Sequence, residues 1–128
     1  MIAVYADRRG AKYRLLVQGH AGEGEQAPLV CAAVSALTGA LAAFAENEPR
    51  CRTKRISMHE GEVFLSCVGG LHGAFDMTVQ ALETLAAVYP HYFYRVCRTV
   101  YEDGTVKWDN GEGRFIPPTP ITKGEVIC

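Results

Sequence analysis

The sequence lacks a surplus of either charge. Its 128 residues include 13 Lys and Arg against 14 Asp and Glu, for a formal net charge of -1. Proteins that bind nucleic acid or an anionic membrane electrostatically carry a basic excess or a basic stripe. We therefore expect no direct nucleic-acid partner and no membrane partner.

Long apolar runs and paired cysteines are also missing. We find no run that approaches the ~18 residues of a membrane span, and no apolar segment of the kind that directs secretion near the N-terminus. None of the 5 cysteines stands in a Cys-x-x-Cys pair. These features predict a cytoplasmic protein with free thiols, in which Cys51, Cys67 and Cys97 are buried in the core. Because ligand spacing is absent, we expect no metal and no other cofactor.

The pattern of apolar residues and turn signals predicts an α+β domain. A chain of this length can bury one sizeable core without disulfides or metals. The predicted order is β-β-α-β-β-α-β, which gives one mixed sheet of four to six strands with two main helices packed on it. The predicted strands span residues 2–6, 11–18, 51–58, 62–68 and 92–101, and the predicted helices span about 28–46 and 73–89.

The first predicted helix is rich in small residues on all sides. Apolar residues recur along it at helical spacing, and we expect the helix to be largely buried. The predicted stripe consists of Leu29, Ala33, Ala36, Leu37, Ala40, Leu41 and Phe44.

The end of the chain differs in composition from the rest. Asp103-Gly104 is a two-residue turn signal, and residues 105–108 are predicted as its return strand. We assign residues 1–108 to the domain. Glycines and prolines make a regular element unexpected in residues 109–128, which we interpret as an extended C-terminal tail.

The candidate catalytic residues lie in the stretch from Gln18 to Leu37. His20 closes the second predicted strand, a glycine-rich loop follows, and Cys31 falls in the first turn of the helix if that helix opens near Pro28. Unpaired N–H groups and the positive end of the helix dipole meet there, and both stabilise a thiolate. The same N–H groups could serve as an oxyanion hole, and a histidine at the strand end could accept the thiol proton. A single Cys or His in such a place is more often structural.

The full string is more specific than either residue. Gly-His-Ala-Gly at residues 19–22 and Val-Cys-Ala-Ala-Val-Ser-Ala-Leu at residues 30–37 resemble the motif of the ribosomal-processing cysteine proteases, which are small bacterial enzymes. The predicted element order also agrees with that family over residues 1–98. The family removes a short N-terminal extension from a large-subunit ribosomal protein, and it cleaves after aromatic residues. Related phage proteins are also substrates.

The resemblance implies a homodimeric Cys–His endopeptidase that binds a peptide segment of a ribosomal or phage protein. Cys31 would be the nucleophile, and His20 would be the general base and acid. Ser35 would support the site by hydrogen bonding. The implied substrate loop, which would order over a bound peptide, consists of Ala21, Gly22, Glu23, Gly24 and Glu25.

The chain departs from the family pattern at Pro28 and in its tail. The family has an acidic residue where Pro28 stands, so the group that orients His20 would have to be another one, such as Glu25 or Glu23. Residues 99–128 have no family counterpart. Two further hypotheses follow: a non-catalytic dimeric paralogue that only binds peptide, and a regulated enzyme whose tail occupies the cleft.

Overall fold

The structure of this protein, a computed structural model, describes residues 1–101 and 124–127. Two helices and a short 3₁₀ turn, Pro90–Tyr92, alternate with the strands. The helices are α1 (Ala27–Asn47) and α2 (His72–Val88). The strands are β1 (Ile2–Arg9), β2 (Lys12–Gly19), β3 (Arg52–His59), β4 (Glu62–Val68), β5 (Phe93–Tyr101) and β6 (Gly124–Ile127). The predicted α+β class and element order are confirmed.

The strands form one mixed sheet in the order β3-β4-β2-β1-β5-β6. β1 runs parallel to β5, and all other neighbours are antiparallel. Glycines with positive φ make the tight turns of the two hairpins: Gly10 at 58° between β1 and β2, and Gly61 at 75° between β3 and β4. Glycine adopts this backbone conformation without the steric cost that a side chain would bring.

Both helices pack on the same core as one face of the sheet. Alternate residues of β1, β2 and β4 join the helix side chains in one buried cluster, which includes Val4, Leu15, Leu65, Phe75 and Leu82. The second helix buries Phe75, Val79 and Leu82 in this cluster. A second, smaller apolar cluster forms around Leu16 and Phe64.

The predicted stripe of the first helix is mostly wrong, since Leu41 is its only buried member. The buried residues of α1 are Ala27, Val30, Val34, Thr38, Leu41, Ala42 and Ala45. Of the predicted stripe, Leu29 is 57% exposed and Phe44 is 43% exposed. The helix has two apolar stripes at the same period, and the sheet takes the other one. The expectation that α1 would be buried on most sides is therefore also wrong.

The length of α1 corrects a second expectation. An 18-residue window of this 21-residue helix has a mean hydropathy of 1.9, which suffices for a membrane span by length and composition. The core helix of a water-soluble domain meets the same criterion, and 33% of this window is buried inside the protein. Contact with the rest of the domain therefore covers only one side of α1 within a single chain.

The prediction of free thiols holds for only part of the set. Cys51 and Cys67 are buried free thiols, as predicted. Cys97 is buried too, but it is disulfide-bonded. The prediction failed here because cysteine spacing along the chain does not show which sulfurs the fold brings together.

The C-terminal predictions are only partly covered by the described residues. The turn at 103–104, the strand at 105–108 and most of the tail lie outside them. Residues 124–127 form β6 and pair with β5, with Ile127 opposite Arg98. A regular element therefore exists within the segment where none was expected.

Candidate active site

The ends of β2 and of the β3–β4 hairpin meet the start of α1 in a cleft. A first cavity of about 250 Å³ lies between α1 and the hairpin, and His20, Cys31 and Ser35 are among its lining residues. A second cavity of about 470 Å³ lies under the loop, and its lining includes His20, Cys31 and Glu23. Because His20 and Cys31 line both cavities, they stand where the two meet. The structure thus brings the predicted nucleophile and base to one cleft.

Cys31 lies one residue further into the helix than predicted. α1 begins at Ala27, so Cys31 is its fifth residue. Helical side chains lean towards the N-terminus, so the sulfur still overlies the first turn. The backbone N–H of Ala21, in the loop, donates a hydrogen bond to the Cys31 sulfur at 3.3 Å. An N–H donor in this position stabilises negative charge that develops at the sulfur.

The first turn of α1 is a poorer source of donors than predicted. The N–H of Ala27 bonds to the Gly24 carbonyl at 3.2 Å, and that of Val30 bonds to the Gln26 carbonyl at 3.0 Å. Pro28 has no N–H to offer. The donor that reaches the sulfur is Ala21, which lies outside the helix.

The hairpin turn packs directly against the His20 ring. A β-carbon added at Gly61 would lie 2.8 Å from His20 Nε2. The N–H of Gly19 donates to the Gly61 carbonyl at 2.8 Å, which fixes the hairpin to the residue before His20. No hydrogen bond or ion pair holds the imidazole itself within residues 1–99, and the side chain is exposed. Its position is therefore set by packing.

The supporting residues are placed less closely than expected. Ser35 is exposed and lines the first cavity. In the described part of the chain its hydroxyl makes no hydrogen bond, while its carbonyl accepts one from Thr38 at 3.4 Å. Of the two carboxylates suggested for orienting His20, Glu23 lines the second cavity with His20, whereas Glu25 is exposed and lines neither cavity.

The glycine loop is anchored near its C-terminal end. The N–H of Gln26, which precedes α1, donates to the Tyr92 hydroxyl at 3.2 Å. Gly24 lies so close to this tyrosine that an added β-carbon would be 2.6 Å from the hydroxyl oxygen. The expected cover over the site is therefore anchored at Gly24 and Gln26, although every residue from Gly22 to Gln26 is exposed.

Removal of the Tyr92 hydroxyl is expected to loosen the loop. The Tyr92→Phe variant leaves the Gln26 N–H without its acceptor, a loss of about 1 kcal/mol. Hydrogen exchange of the Gln26 amide should then become about fivefold faster, as measured by NMR or mass spectrometry. Tyr94→Phe is the matched control, because Tyr94 is a 64% exposed tyrosine two residues away. Equal exchange at Gln26 in both variants would show that Tyr92 does not anchor the loop.

The β3–β4 hairpin is the part of the site that the sequence motif did not reveal. Met58, His59, Glu60, Gly61 and Glu62 all line the first cavity. They lie there because β4 pairs with β2, with Glu62 opposite Gln18, so the hairpin turn falls beside the end of β2. The predicted hairpin at 59–61 contained this signal, but only the strand order places it next to His20.

Comparison with known proteins identifies neighbours of this fold. No protein-family profile and no curated protein matches the sequence. The structure is similar to the ribosomal processing protease Prp from S. aureus in complex with a covalently linked product peptide, with a TM-score of 0.61, 21% identity, and coverage of 75% of this chain and 97% of that chain. The same protease in complex with a substrate peptide gives a TM-score of 0.60, 20% identity, and 77% and 99% coverage.

A third neighbour is SMU.848 from Streptococcus mutans, with a TM-score of 0.54, 22% identity, and coverage of 78% of this chain and 93% of that chain. At these identities the similarity establishes a shared fold. The resemblance indicated by the motif at residues 19–37 is thus confirmed at the level of the fold.

Proposed function

We propose that this protein is a cysteine endopeptidase that removes a short N-terminal extension from a bacterial large-subunit ribosomal protein or a related phage protein. The observation that carries the proposal is the cleft in which Cys31 and His20 line the same two cavities, with a loop N–H on the sulfur. The Prp structures with bound peptides support a peptide ligand for this fold. A cytoplasmic location is part of the same proposal.

The proposed reaction uses the two side chains in turn. His20 accepts the thiol proton of Cys31 as the sulfur attacks the scissile carbonyl carbon and forms the C–S bond. His20 then donates that proton to the leaving amine as the C–N bond breaks. A water molecule, deprotonated by His20, attacks the thioester, and the thiol is restored as the acid product leaves. The Ala21 N–H lies close enough to the sulfur to stabilise the oxyanion that forms beside it.

The test is cleavage of synthetic peptides that span such an N-terminal extension, with an aromatic residue before the scissile bond. Wild-type protein is expected to cut after the aromatic residue, and mass spectrometry of the products identifies the bond. A scrambled peptide of the same composition controls for unspecific proteolysis. Absence of cleavage in every extension peptide would overturn the proposed activity.

The non-catalytic peptide-binding module remains the second candidate. It is favoured by Pro28 in the place of the family's acidic residue, and by an imidazole that no hydrogen bond fixes in the described residues. The rate of iodoacetamide alkylation at Cys31 separates the two candidates. Burial and the neighbouring Cys51 thiol raise the pKa of Cys67 to about 12, so that thiol stays protonated and unreactive at pH 7. An enzyme requires Cys31 to react faster than an ordinary exposed thiol, whereas a binding module does not.

We also propose that the protein forms a homodimer, because α1 presents an exposed apolar surface that a second copy could cover. The helix carries no charged residue from Ala27 to Ala45. Its outer side exposes Leu29 and Phe44 near the two ends, with Ala32, Ala36 and Ala40 between them. Small residues allow close approach of a partner helix, and homodimer interfaces are apolar at their centre. A second copy that presents the same helix matches this surface.

A charge at the centre of this surface is expected to separate the dimer. In Ala36→Glu the carboxylate would be buried without a partner, which should weaken association at least about tenfold. Because Ala36 is exposed within one chain, the monomer should remain folded. Sedimentation velocity over a dilution series measures the effect. Met77→Glu is the control, since Met77 is 69% exposed on α2. Equal dimerisation of both variants would place the interface elsewhere.

The hypothesis that the C-terminal tail inhibits the enzyme concerns mainly residues outside the described part of the chain. Deletion of residues 109–128 should raise peptide turnover or Cys31 alkylation if the tail occupies the cleft. If both rates are unchanged, the tail does not regulate the site.

A further inference from the structure

The cleft that holds Cys31 and His20 has carboxylates on both of its walls. Glu60, in the hairpin turn, lines the first cavity, and Glu23, in the loop, lines the second. Both residues are exposed. No lysine or arginine lines either cavity in the described residues, although the chain carries 13 of them against 14 acidic residues. The negative charge is therefore a local property of the cleft.

The basic side chains of β3 line neither cavity, and these include Arg55, which is the closest of them to the hairpin turn along the chain. Lys54 donates a hydrogen bond to the Glu46 carbonyl at the C-terminal end of α1, whereas Cys31 lies near its start. The exposed Arg52 lies still further from the hairpin turn along β3. Two imidazoles, His20 and His59, and the amino end of the chain at Met1, whose carbonyl touches Gly19, are the other titratable groups beside the cleft.

Cys31 and His20 line both cavities, so a peptide that passes the sulfur and fills both cavities lies beside Glu60 in the first and beside Glu23 in the second. We propose that the cleft selects peptide segments with basic residues on both sides of the scissile bond. This inference rests on the proposed function and names the class of its substrate.

Charged pairs at a wet rim contribute modestly, and they act on encounter and selectivity more than on affinity. A lysine in place of a glutamate on one side of the scissile bond is expected to raise kcat/KM by about threefold at low salt. A peptide with lysines on both sides should therefore be cleaved about tenfold faster than its glutamate counterpart. Because exposed pairs are screened, that ratio should fall towards one at high salt.

The experiment compares two peptides that differ only in lysine or glutamate at the flanking positions. Glu60→Lys is expected to reduce the preference about tenfold, since it replaces an attraction with a repulsion on the hairpin side. Glu46→Lys is the matched control: it makes the same change in net charge at an exposed site at the far end of α1. Equal cleavage of the two peptides at low salt, or equal effects of the two variants, would overturn the inference.

Binding to the Cys31→Ala variant keeps this test separate from the proposed activity. Fluorescence anisotropy of labelled peptides measures the charge preference whether or not any bond is cut. Preferential binding of the lysine peptide without cleavage by wild type would support the inference on substrate charge and reject the protease. Cleavage of both peptides with no charge preference in either assay would support the protease and reject the inference on substrate charge.

Discussion

Replacement of Cys31 by alanine is expected to lower the rate of peptide cleavage at least about 10⁴-fold, because the variant lacks the atom that forms the covalent bond to the substrate. The remaining groups of the cleft can still bind peptide but have no nucleophile to offer. Cleavage is measured by chromatography of the products at enzyme concentrations high enough to detect the residual rate. The Cys31→Ser variant should be nearly as inactive, since a serine hydroxyl is a far weaker nucleophile than a thiol near neutral pH.

The matched control for this prediction is another free cysteine. Cys51 is a buried free thiol at the opposite end of β3 from the cleft. Cys51→Ser should retain cleavage activity at a temperature at which circular dichroism shows that it is folded. Equal cleavage by Cys31→Ala and wild type would identify a contaminating protease or a different nucleophile, and would end the proposal for Cys31.

The sequence predicted which residues share the cleft better than it predicted the buried face of α1. Cys31 and His20 line one cleft because the motif spans a strand end, a loop and a helix start that are adjacent in the chain, and their catalytic roles stay a prediction. The same helix was assigned the wrong buried face. Leu29 and Phe44 fit the helical period as well as Val30 and Val34 do, and only contact with the sheet decides between two stripes of equal period.

The details that local patterns missed depend on contacts between distant segments. The helix begins one residue earlier than predicted, so Pro28 takes its second position and Cys31 falls just outside the first turn. Sequence patterns do not define a helix end to within one residue. The Ala21 N–H that reaches the sulfur, and the Tyr92 hydroxyl that anchors Gln26, belong to loops whose conformation no periodic pattern specifies. These contacts join residues 10 and 66 positions apart in the chain.

The hairpin glycine shows how such a distant contact bears on catalysis. Gly61 is expected to control the position of the His20 ring, because an added β-carbon would lie 2.8 Å from Nε2 and the ring must move to make room. A general base displaced by about 1 Å costs on the order of 10²-fold in rate. We therefore expect Gly61→Ala to lower kcat by about 10- to 100-fold with a smaller change in KM.

Gly10→Ala separates this displacement from backbone strain. Gly10 makes the corresponding turn of the β1–β2 hairpin, its φ is also positive at 58°, and nothing lies within 4 Å of its added β-carbon. Both variants should lose a similar free energy of unfolding, roughly 1 kcal/mol, because alanine is strained at positive φ. Only Gly61→Ala should lose catalysis. An equal loss of kcat in the two variants would mean that general destabilisation, and not the imidazole, limits the reaction. If Gly61→Ala retains full activity, His20 either tolerates the displacement or is not the base.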